Sequence, residues 1–437
     1  MIRRLLNRVF GPKNKKNRHG AKPLALTASQ HSLRPQAISP CALRVIKTLQ
    51  ENGFQAYVVG GAVRDLLLQK SPKDFDVATN ATPEQIRRLI RRSRIIGRRF
   101  QIIHVPCHDE IVEVTTFRGH APHDHHSQTD EHGRLTRDNV FGSLEEDAAR
   151  RDFTANALFY DPVHNILLDY FSGTKDIAAR RLVMIGDPVQ RFREDPVRLL
   201  RAIRFSAKLG FTLDAALIGP LRELGNLLSP IPESRLFDEL LKLLVSGQAR
   251  SCLELLHQFG LHPHLLPHLD TLWANPDQRH FITLALDNTD ERLRDKKPVS
   301  PGFLLAALFW PPVQTLWQAR QAQGEPLYPA LFGAMETVLD AQRKTLPIPH
   351  RFDGTMKEIW SLQPRFEQRS GQRPSRLLEH PRFRAGYDFL LLRSASGNAP
   401  PELGVWWKTF LEADPDTRPS LLVQEIRKPR SRRRRTP

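Results

Sequence analysis

The sequence predicts an α+β protein, a head built on a small mixed sheet followed by an all-helical remainder, and two observations carry that assignment. Upstream of Gly186, short strand-like runs at residues 56–59, 75–77, 102–105 and 111–117 alternate with helical stretches. Downstream, nearly every apolar run has helical spacing, as at Leu199, Leu200, Ile203 and Ala207. In the head, Thr82, Pro83 and Gln85 spell a capping box with proline at the first helical position. They open a helix with apolar Ile86, Leu89 and Ile90 and an arginine-rich opposite face. There is no internal repeat of fixed period. At 437 residues the chain has room for roughly three domains.

Composition narrows the partner. Hydrophobic residues make up 40% of the chain, ordinary for a globular protein. No apolar run approaches bilayer-spanning length, and the basic start Met1-Ile2-Arg3-Arg4 lacks the sustained apolar stretch of a secretory signal. Cys41, Cys107 and Cys252 are odd in number and widely spaced, so they are expected as separate thiols in a reducing, cytoplasmic setting. A formal net charge of +18 and a pI near 10.2 exceed what solubility requires and point to a polyanion. With no basic amphipathic helix bearing a broad apolar face, nucleic acid is favoured over a membrane surface. Both ends are basic. Residues 1–42 carry Lys13, Lys15, Lys16 and Arg18 and read as a disordered arm. Residues 416–437 carry Arg427, Lys428, Arg430, Arg432, Arg433, Arg434 and Arg435, a solvated tail expected to contact RNA phosphates.

Three motifs carry chemistry. In Val58-Val59-Gly60-Gly61-Ala62-Val63-Arg64-Asp65 a strand ends in two glycines and a helix begins at once. Glycine admits close backbone approach, and the free N–H groups of the turn suit a triphosphate. In Lys73-Asp74-Phe75-Asp76-Val77, strand alternation projects Asp74 and Asp76 to one side and Phe75 and Val77 into the core. Two adjacent carboxylates repel unless cations neutralise them, and hard oxygen ligands select Mg²⁺, two of which can clamp an in-line phosphoryl displacement. Glu113, on the strand at residues 111–117, and Asp152, in Arg150-Arg151-Asp152-Phe153-Thr154-Ala155-Asn156-Ala157, are alternative third acids. Arg150 and Arg151 are suited to phosphates. The third motif, Arg193-Glu194-Asp195-Pro196-Val197-Arg198, places Asp195 and Arg198 three residues apart. They are expected as neighbours on one helical face, offering acceptors and a planar donor fork to a base edge.

In this order the segments Gly60-Gly61-Ala62-Val63-Arg64-Asp65, Asp74-Phe75-Asp76-Val77, Arg150-Arg151-Asp152-Phe153 and Arg193-Glu194-Asp195-Pro196-Val197-Arg198 resemble the polynucleotide nucleotidyltransferases of the DNA-polymerase-β superfamily. More narrowly they resemble the bacterial group of tRNA nucleotidyltransferases and poly(A) polymerases. The resemblance implies a nucleotidyltransferase head at residues 43–185, a base-reading and RNA-binding helical neck at 186–270 and a helical body at 271–415. It makes Asp74 and Asp76 the metal-binding catalytic pair and puts Asp152 on a third acidic position. Gly60, Gly61 and Arg64 fall on the phosphate turn, and Asp195 and Arg198 on the base-reading pair. The stretch Ile96-Gly97-Arg98-Arg99-Phe100-Gln101-Ile102-Ile103-His104-Val105 and the arginine-rich tail are similar to the poly(A)-forming branch.

The implied activity is adenylyl transfer from ATP to RNA 3′ ends, with Mg²⁺ as cofactor and pyrophosphate as product. CCA addition to tRNA is the alternative enzyme, and a non-catalytic RNA-binding protein the alternative of another class. Intact Asp74 and Asp76 argue against the latter, because a retired site has no reason to hold two repelling acids together. His120, His123, His125, His126 and His132 are expected in a mobile loop, and His257, His262, His264 and His268 in core or surface roles, with no His-Asp doublet beside them.

Overall fold

The structure is a computed structural model that describes residues 22–97, 101–108, 110–119 and 140–424. The described residues divide into two compact units. One reaches to Pro188 and includes Thr212–Leu217; the other comprises Val189–Phe211 and the chain from Ile218 onward. The arm lysines Lys13, Lys15 and Lys16, the five histidines between 120 and 132, and the tail from Arg427 to Arg435 lie outside the described residues.

The first unit is built on one eight-stranded sheet. Its strands are β1 (Leu24–Leu26), β2 (Ala56–Val59), β3 (Asp76–Thr79), β4 (Arg94–Ile96), β5 (Ile102–Pro106), β6 (Ile111–Thr116), β7 (Leu158–Asp161) and β8 (Ile166–Asp169). The spatial order is β1-β8-β7-β2-β3-β6-β5-β4. Only β3 and β6 run parallel; the other neighbours are antiparallel, so the sheet is mixed. Val58, Val77, Val114 and Ile103 stand in register across β2, β3, β6 and β5, and all four are fully buried. Strand pairing puts in-register side chains on one face. Helix α1 (Pro40–Glu51) packs against β2 and β3; Ser39 caps it by accepting from the Ala42 amide, and Ala42, Val45, Ile46 and Leu49 form its buried stripe.

Helix α2 (Gly61–Leu67) follows β2, and α3 (Pro83–Leu89) opens with the capping box read from Thr82 and Gln85, with Ile86 fully buried. The opposite face of the sheet carries Val59, Ala78 and Phe159. They pack with Phe117 and with Leu144 and Ala148 of α4 (Leu144–Arg150), itself started by a Ser143/Glu146 capping box. Asp76 is on this second face, because it pairs in register with Val59.

The second unit is helical throughout its described part. It begins with α5 (Pro188–Glu194), whose first residue belongs to the other unit, and α6 (Val197–Leu209), which buries Val197, Leu199, Leu200, Ala202, Ile203 and Phe205. The long helix Pro301–Ala322 contains Pro311 and Pro312. Pro312 has no N–H to give the Leu308 carbonyl, which would be left without its helical donor. The His268 ring supplies that bond while packing on Phe309 at 4.7 Å, and burial pushes its pKa down to about 4, so it is a neutral structural histidine. Farther along, Leu362, Phe366, Tyr387, Leu390, Trp407 and Phe410 form a core. The Trp407 and Trp360 indoles donate to the Phe366 and Ala306 carbonyls, satisfying their polar edges.

One expectation needs correction here. Cys41 and Cys107 are joined by a disulfide rather than standing apart, with Cα atoms 6.3 Å from each other; Cys252 is free and buried. The partners are 66 positions apart, and only the tertiary fold brings the start of α1 to the turn after β5. Oxidised protein denatured without reductant should therefore expose one reactive thiol by Ellman titration. A Cys41→Ser variant should lose about 2–4 kcal/mol of stability relative to the oxidised parent. Three reactive thiols, or an unchanged unfolding midpoint, would contradict the bridge. The histidines keep the core or surface roles expected of them, with a contact that the sequence does not show. His257 and His262 do have an acid: both reach Asp270 Oδ1, at 3.0 and 2.9 Å. Asp270 lies too far along the chain to read as a doublet. Among the described residues no group of three His, Cys, Asp or Glu side chains has the geometry to hold a metal ion by itself.

Candidate active site

The Gly60-Gly61 turn joins β2 to α2. Gly60 adopts φ +69°, which a side-chain-bearing residue rarely adopts, and a Cβ there would meet Arg151 Nη1 at 3.2 Å. Glycine is thus required both by conformation and by the approach of an arginine. Arg64 is buried. It donates through Nε and Nη2 to Asp65 Oδ1 at 2.9 and 2.7 Å, and through Nη1 to Asn156 Oδ1 at 2.6 Å. Asn156 in turn donates through Nδ2 to Asp152 Oδ1 at 3.0 Å, and the Phe153 amide donates to the same oxygen. Arg64, Asn156 and Asp152 therefore form one buried relay behind the glycine turn.

Asp74 and Asp76 are both exposed, while Phe75 and Val77 between and after them are buried. That is the alternation read from the sequence, although β3 itself begins only at Asp76. Glu113 on the parallel neighbour β6 is in register with Asp76, so the two acids share a face. Asp76 opens toward solvent, yet the surrounding protein strips enough water from its carboxyl to raise the pKa to about 6. Glu113 and Asp74 add like-charge repulsion, partly offset by Arg151. Of the two alternative third acids, the geometry brings Glu113 beside the pair and keeps Asp152 in the buried relay.

Arg151 is the cation that sequence reading left without a definite role. It follows α4, so the capping box at Ser143 and the packing of Leu144 and Ala148 on the sheet fix its origin. Its guanidinium is held by Asp147 Oδ2 and by the Asn156 carbonyl, and lies over the Phe159 ring at 4.9 Å. It thereby touches the glycine turn on one side and the field of Asp76 on the other. Arg150 is turned away, to the Gly119 carbonyl.

In the helical unit the expected pairing differs. Asp195 lies between α5 and α6 rather than on a helix, because Pro196 caps α6. Its Oδ2 accepts from Arg235 at 2.9 Å, whereas Arg198 donates to Glu194 and to the Arg191 carbonyl. Asp195 and Arg198 therefore do not share one helix face, because the helix that carries Arg198 starts after Pro196, and each side chain has its own ion-pair partner. Asp195 Oδ1 is buried and has no hydrogen-bond partner among the described residues.

Comparisons with known proteins agree with this architecture. Residues 56–183 match the family described as the Poly A polymerase head domain. Residues 210–272 match the probable RNA and SrmB-binding site of polymerase A, and residues 323–437 the polymerase A arginine-rich C-terminus. Poly(A) polymerase I of Haemophilus influenzae is 44% identical, over 94% of this chain and 95% of that protein. Poly(A) polymerase I of Escherichia coli O157:H7 is 44% identical over 93% and 89%. The CCA-adding enzyme of Bacillus subtilis is 39% identical, but over only 51% of this chain and 55% of its own length. Among solved structures, the CCA-adding enzyme of Bacillus stearothermophilus in complex with CTP superposes with a TM-score of 0.57 at 27% identity, over 85% of this chain and 82% of that one. The likeness to CCA-adding enzymes in sequence covers half the chain, while the likeness to poly(A) polymerase I runs almost from end to end, and the chain belongs to the poly(A) polymerase family.

Proposed function

We propose that the chain transfers AMP from ATP to the 3′ end of RNA with release of pyrophosphate, acting in the cytoplasm. The observation that carries the reading is the cluster of exposed Asp74 and Asp76 with half-buried Glu113, with Asp76 raised to about 6, beside a glycine turn and the Arg151 guanidinium. A carboxylate held against its like-charged neighbours is poised for a divalent cation, and hard oxygen donors suit Mg²⁺. Asp74 and Asp76 would hold it, with Glu113 rather than Asp152 as the third acid. A bound Mg²⁺ at these acids would supply a lowered pKa for the RNA 3′-hydroxyl and charge neutralisation for the departing pyrophosphate. Mg²⁺ keeps waters and takes substrate phosphates as ligands, so an open, incomplete protein cluster fits it better than a closed cage.

The protein's own groups position and exclude. The Gly61 backbone N–H approaches the triphosphate beside Gly60, whose own N–H pairs with the Leu158 carbonyl, and Arg151 places a fixed positive charge at its oxygens. Arg64 and Asp152 hold the turn from behind through Asn156. Asp195 Oδ1 and the Arg198 fork supply an acceptor and a donor for the base edge. No covalent enzyme intermediate is needed, and catalysis is positioning plus electrostatics. The direct test is an RNA with a free or a phosphate-blocked 3′ end incubated with ATP and Mg²⁺. One pyrophosphate per AMP incorporated on the free end, and none on the blocked end, supports the reading; pyrophosphate release independent of a 3′-hydroxyl refutes it.

The tail supplies a further test. Removing residues 427–437 takes away Arg427, Lys428, Arg430, Arg432, Arg433, Arg434 and Arg435. RNA affinity should fall and its dependence on log salt should flatten, by about 0.7 for each single-strand phosphate no longer neutralised. Turnover at saturating RNA should hold. Unchanged affinity and slope would remove RNA binding from the tail's role.

A further inference from the structure

We propose that the sheet edge formed by the end of α3, the turn after it and β4 is a docking surface for the RNA phosphate backbone upstream of the 3′ end, an inference that rests on the polyadenylation reading. Arg87, Arg88, Arg91, Arg92 and Arg94 fall within eight residues and are all exposed. Their segment contains one acid, Glu84. Among the described residues none of the five guanidinium groups has an ion-pair or hydrogen-bond partner. Some other surface arginines are engaged, Arg181 with Asp176 and Asp214, Arg250 with Glu254 and Asp287, and Arg343 with Asp340 and Asp353, and among the described residues none of the unengaged ones is gathered five to a run of eight residues as these are.

Structural roles account for only part of the cluster. Arg87 and Arg88 lie in the last turn of α3, where a cation complements the helix end. Arg94 lies on β4, the terminal strand of the sheet, where a charge discourages edge-to-edge pairing. Neither reason requires Arg91 and Arg92, which stand in the exposed turn between them. Placement supplies the link to the reaction. Asp76, Glu113, His104 and Arg94 are in register across β3, β6, β5 and β4 and share one face, with His104 Nε2 3.4 Å from Glu113 Oε1. Three interstrand spacings put Arg94 about 14 Å from Asp76. An RNA whose 3′ end sits at Asp74 and Asp76 can lay an upstream phosphate against Arg94 and turn round the sheet edge past Arg91 and Arg92. Guanidinium forks match phosphate oxygens bidentately. The one large apolar side chain exposed on β4, Ile96, is too little for the apolar centre of a protein interface.

The test uses the full chain carrying Arg87→Gln, Arg88→Gln, Arg91→Gln, Arg92→Gln and Arg94→Gln, with anisotropy of a 5′-labelled RNA measured over a salt series. Affinity should fall about tenfold or more near 0.1 M salt, and the salt slope should flatten by about 0.7 for each phosphate released. KM for ATP and turnover at saturating RNA should stay at parental values. If the fivefold variant does not fold, Arg91→Gln with Arg92→Gln, outside any helix or strand, must still flatten the slope. Unchanged RNA affinity and slope overturn the surface; so does loss of binding to polyglutamate with RNA binding intact, which would assign it to an acidic protein. Binding is read without catalysis, so a parent that binds RNA through these arginines but adds no AMP would refute the proposed function and leave this surface standing.

Discussion

Replacing Asp76 by asparagine is expected to lower AMP transfer by at least about 10³-fold while raising the melting temperature of the metal-free protein at pH 8. A lost cation ligand at a phosphoryl-transfer site removes several kcal/mol of transition-state stabilisation, and each 1.4 kcal/mol is about tenfold in rate. The gain in stability follows from the raised pKa of Asp76. Its carboxyl titrates near 6 in the folded chain, above its unfolded value, because of burial, Glu113 and Asp74. Between roughly pH 4 and 6 the folded state holds the extra proton, so stability falls as pH rises through that window. Above pH 6 the folded protein carries the full cost of the charged group, and the asparagine does not. The stabilisation should be largest at pH 7–8, vanish near pH 4, and shrink when Mg²⁺ is added to the parent. Asp74→Ala should likewise abolish transfer. Near-normal Mg²⁺-dependent activity in either variant would sink the assigned site, and a melting temperature unchanged at pH 8 would remove the repulsion from the account.

Changing Asp195 to alanine is expected to degrade nucleotide choice while sparing RNA affinity. Its Oδ2 is held by Arg235, which fixes the carboxylate and leaves the buried Oδ1 without a partner. An open acceptor there suits an exocyclic amino group, and the Arg198 fork, proposed above as the base-edge donor, suits a ring nitrogen. Adenine and cytosine present that order of donor and acceptor, whereas guanine and uracil present the reverse. The variant should therefore lose on the order of 1–3 kcal/mol of preference for ATP over GTP and UTP, and less over CTP. Competition between nucleotides at fixed RNA reads this directly. Unchanged selection would reduce Asp195 to a structural partner of Arg235.

The legible parts of the fold were those written in local chemistry. The capping box at Thr82, the strand at Ala56–Val59 and the alternation of Asp74, Phe75, Asp76 and Val77 depend on neighbours in the chain, and the structure has them as read. What local pattern could not supply was register and long-range approach. Glu113 and Asp152 looked equivalent because only the parallel pairing of β3 with β6 sets Glu113 beside Asp76. Arg151 was recognised as phosphate-compatible, but its contact with Gly60 depends on the path of α4 across the sheet. The expectation of one helical face for Asp195 and Arg198 missed a local signal that was visible in the sequence: Pro196 starts a new helix after Asp195, which leaves Asp195 outside it. The Cys41–Cys107 bridge and the Asp270 contact of His257 and His262 are tertiary facts with no sequence signature.

The central claim, untemplated addition of adenylate to RNA 3′ ends, is tested most directly with the purified full chain, Mg²⁺ and each nucleoside triphosphate supplied singly and together. One substrate is a generic single-stranded RNA and the other a tRNA lacking its terminal CCA. The account predicts long products on the generic RNA from ATP alone, with negligible extension by GTP or UTP. Products that form only on the truncated tRNA, require CTP before ATP and stop after three nucleotides would contradict it.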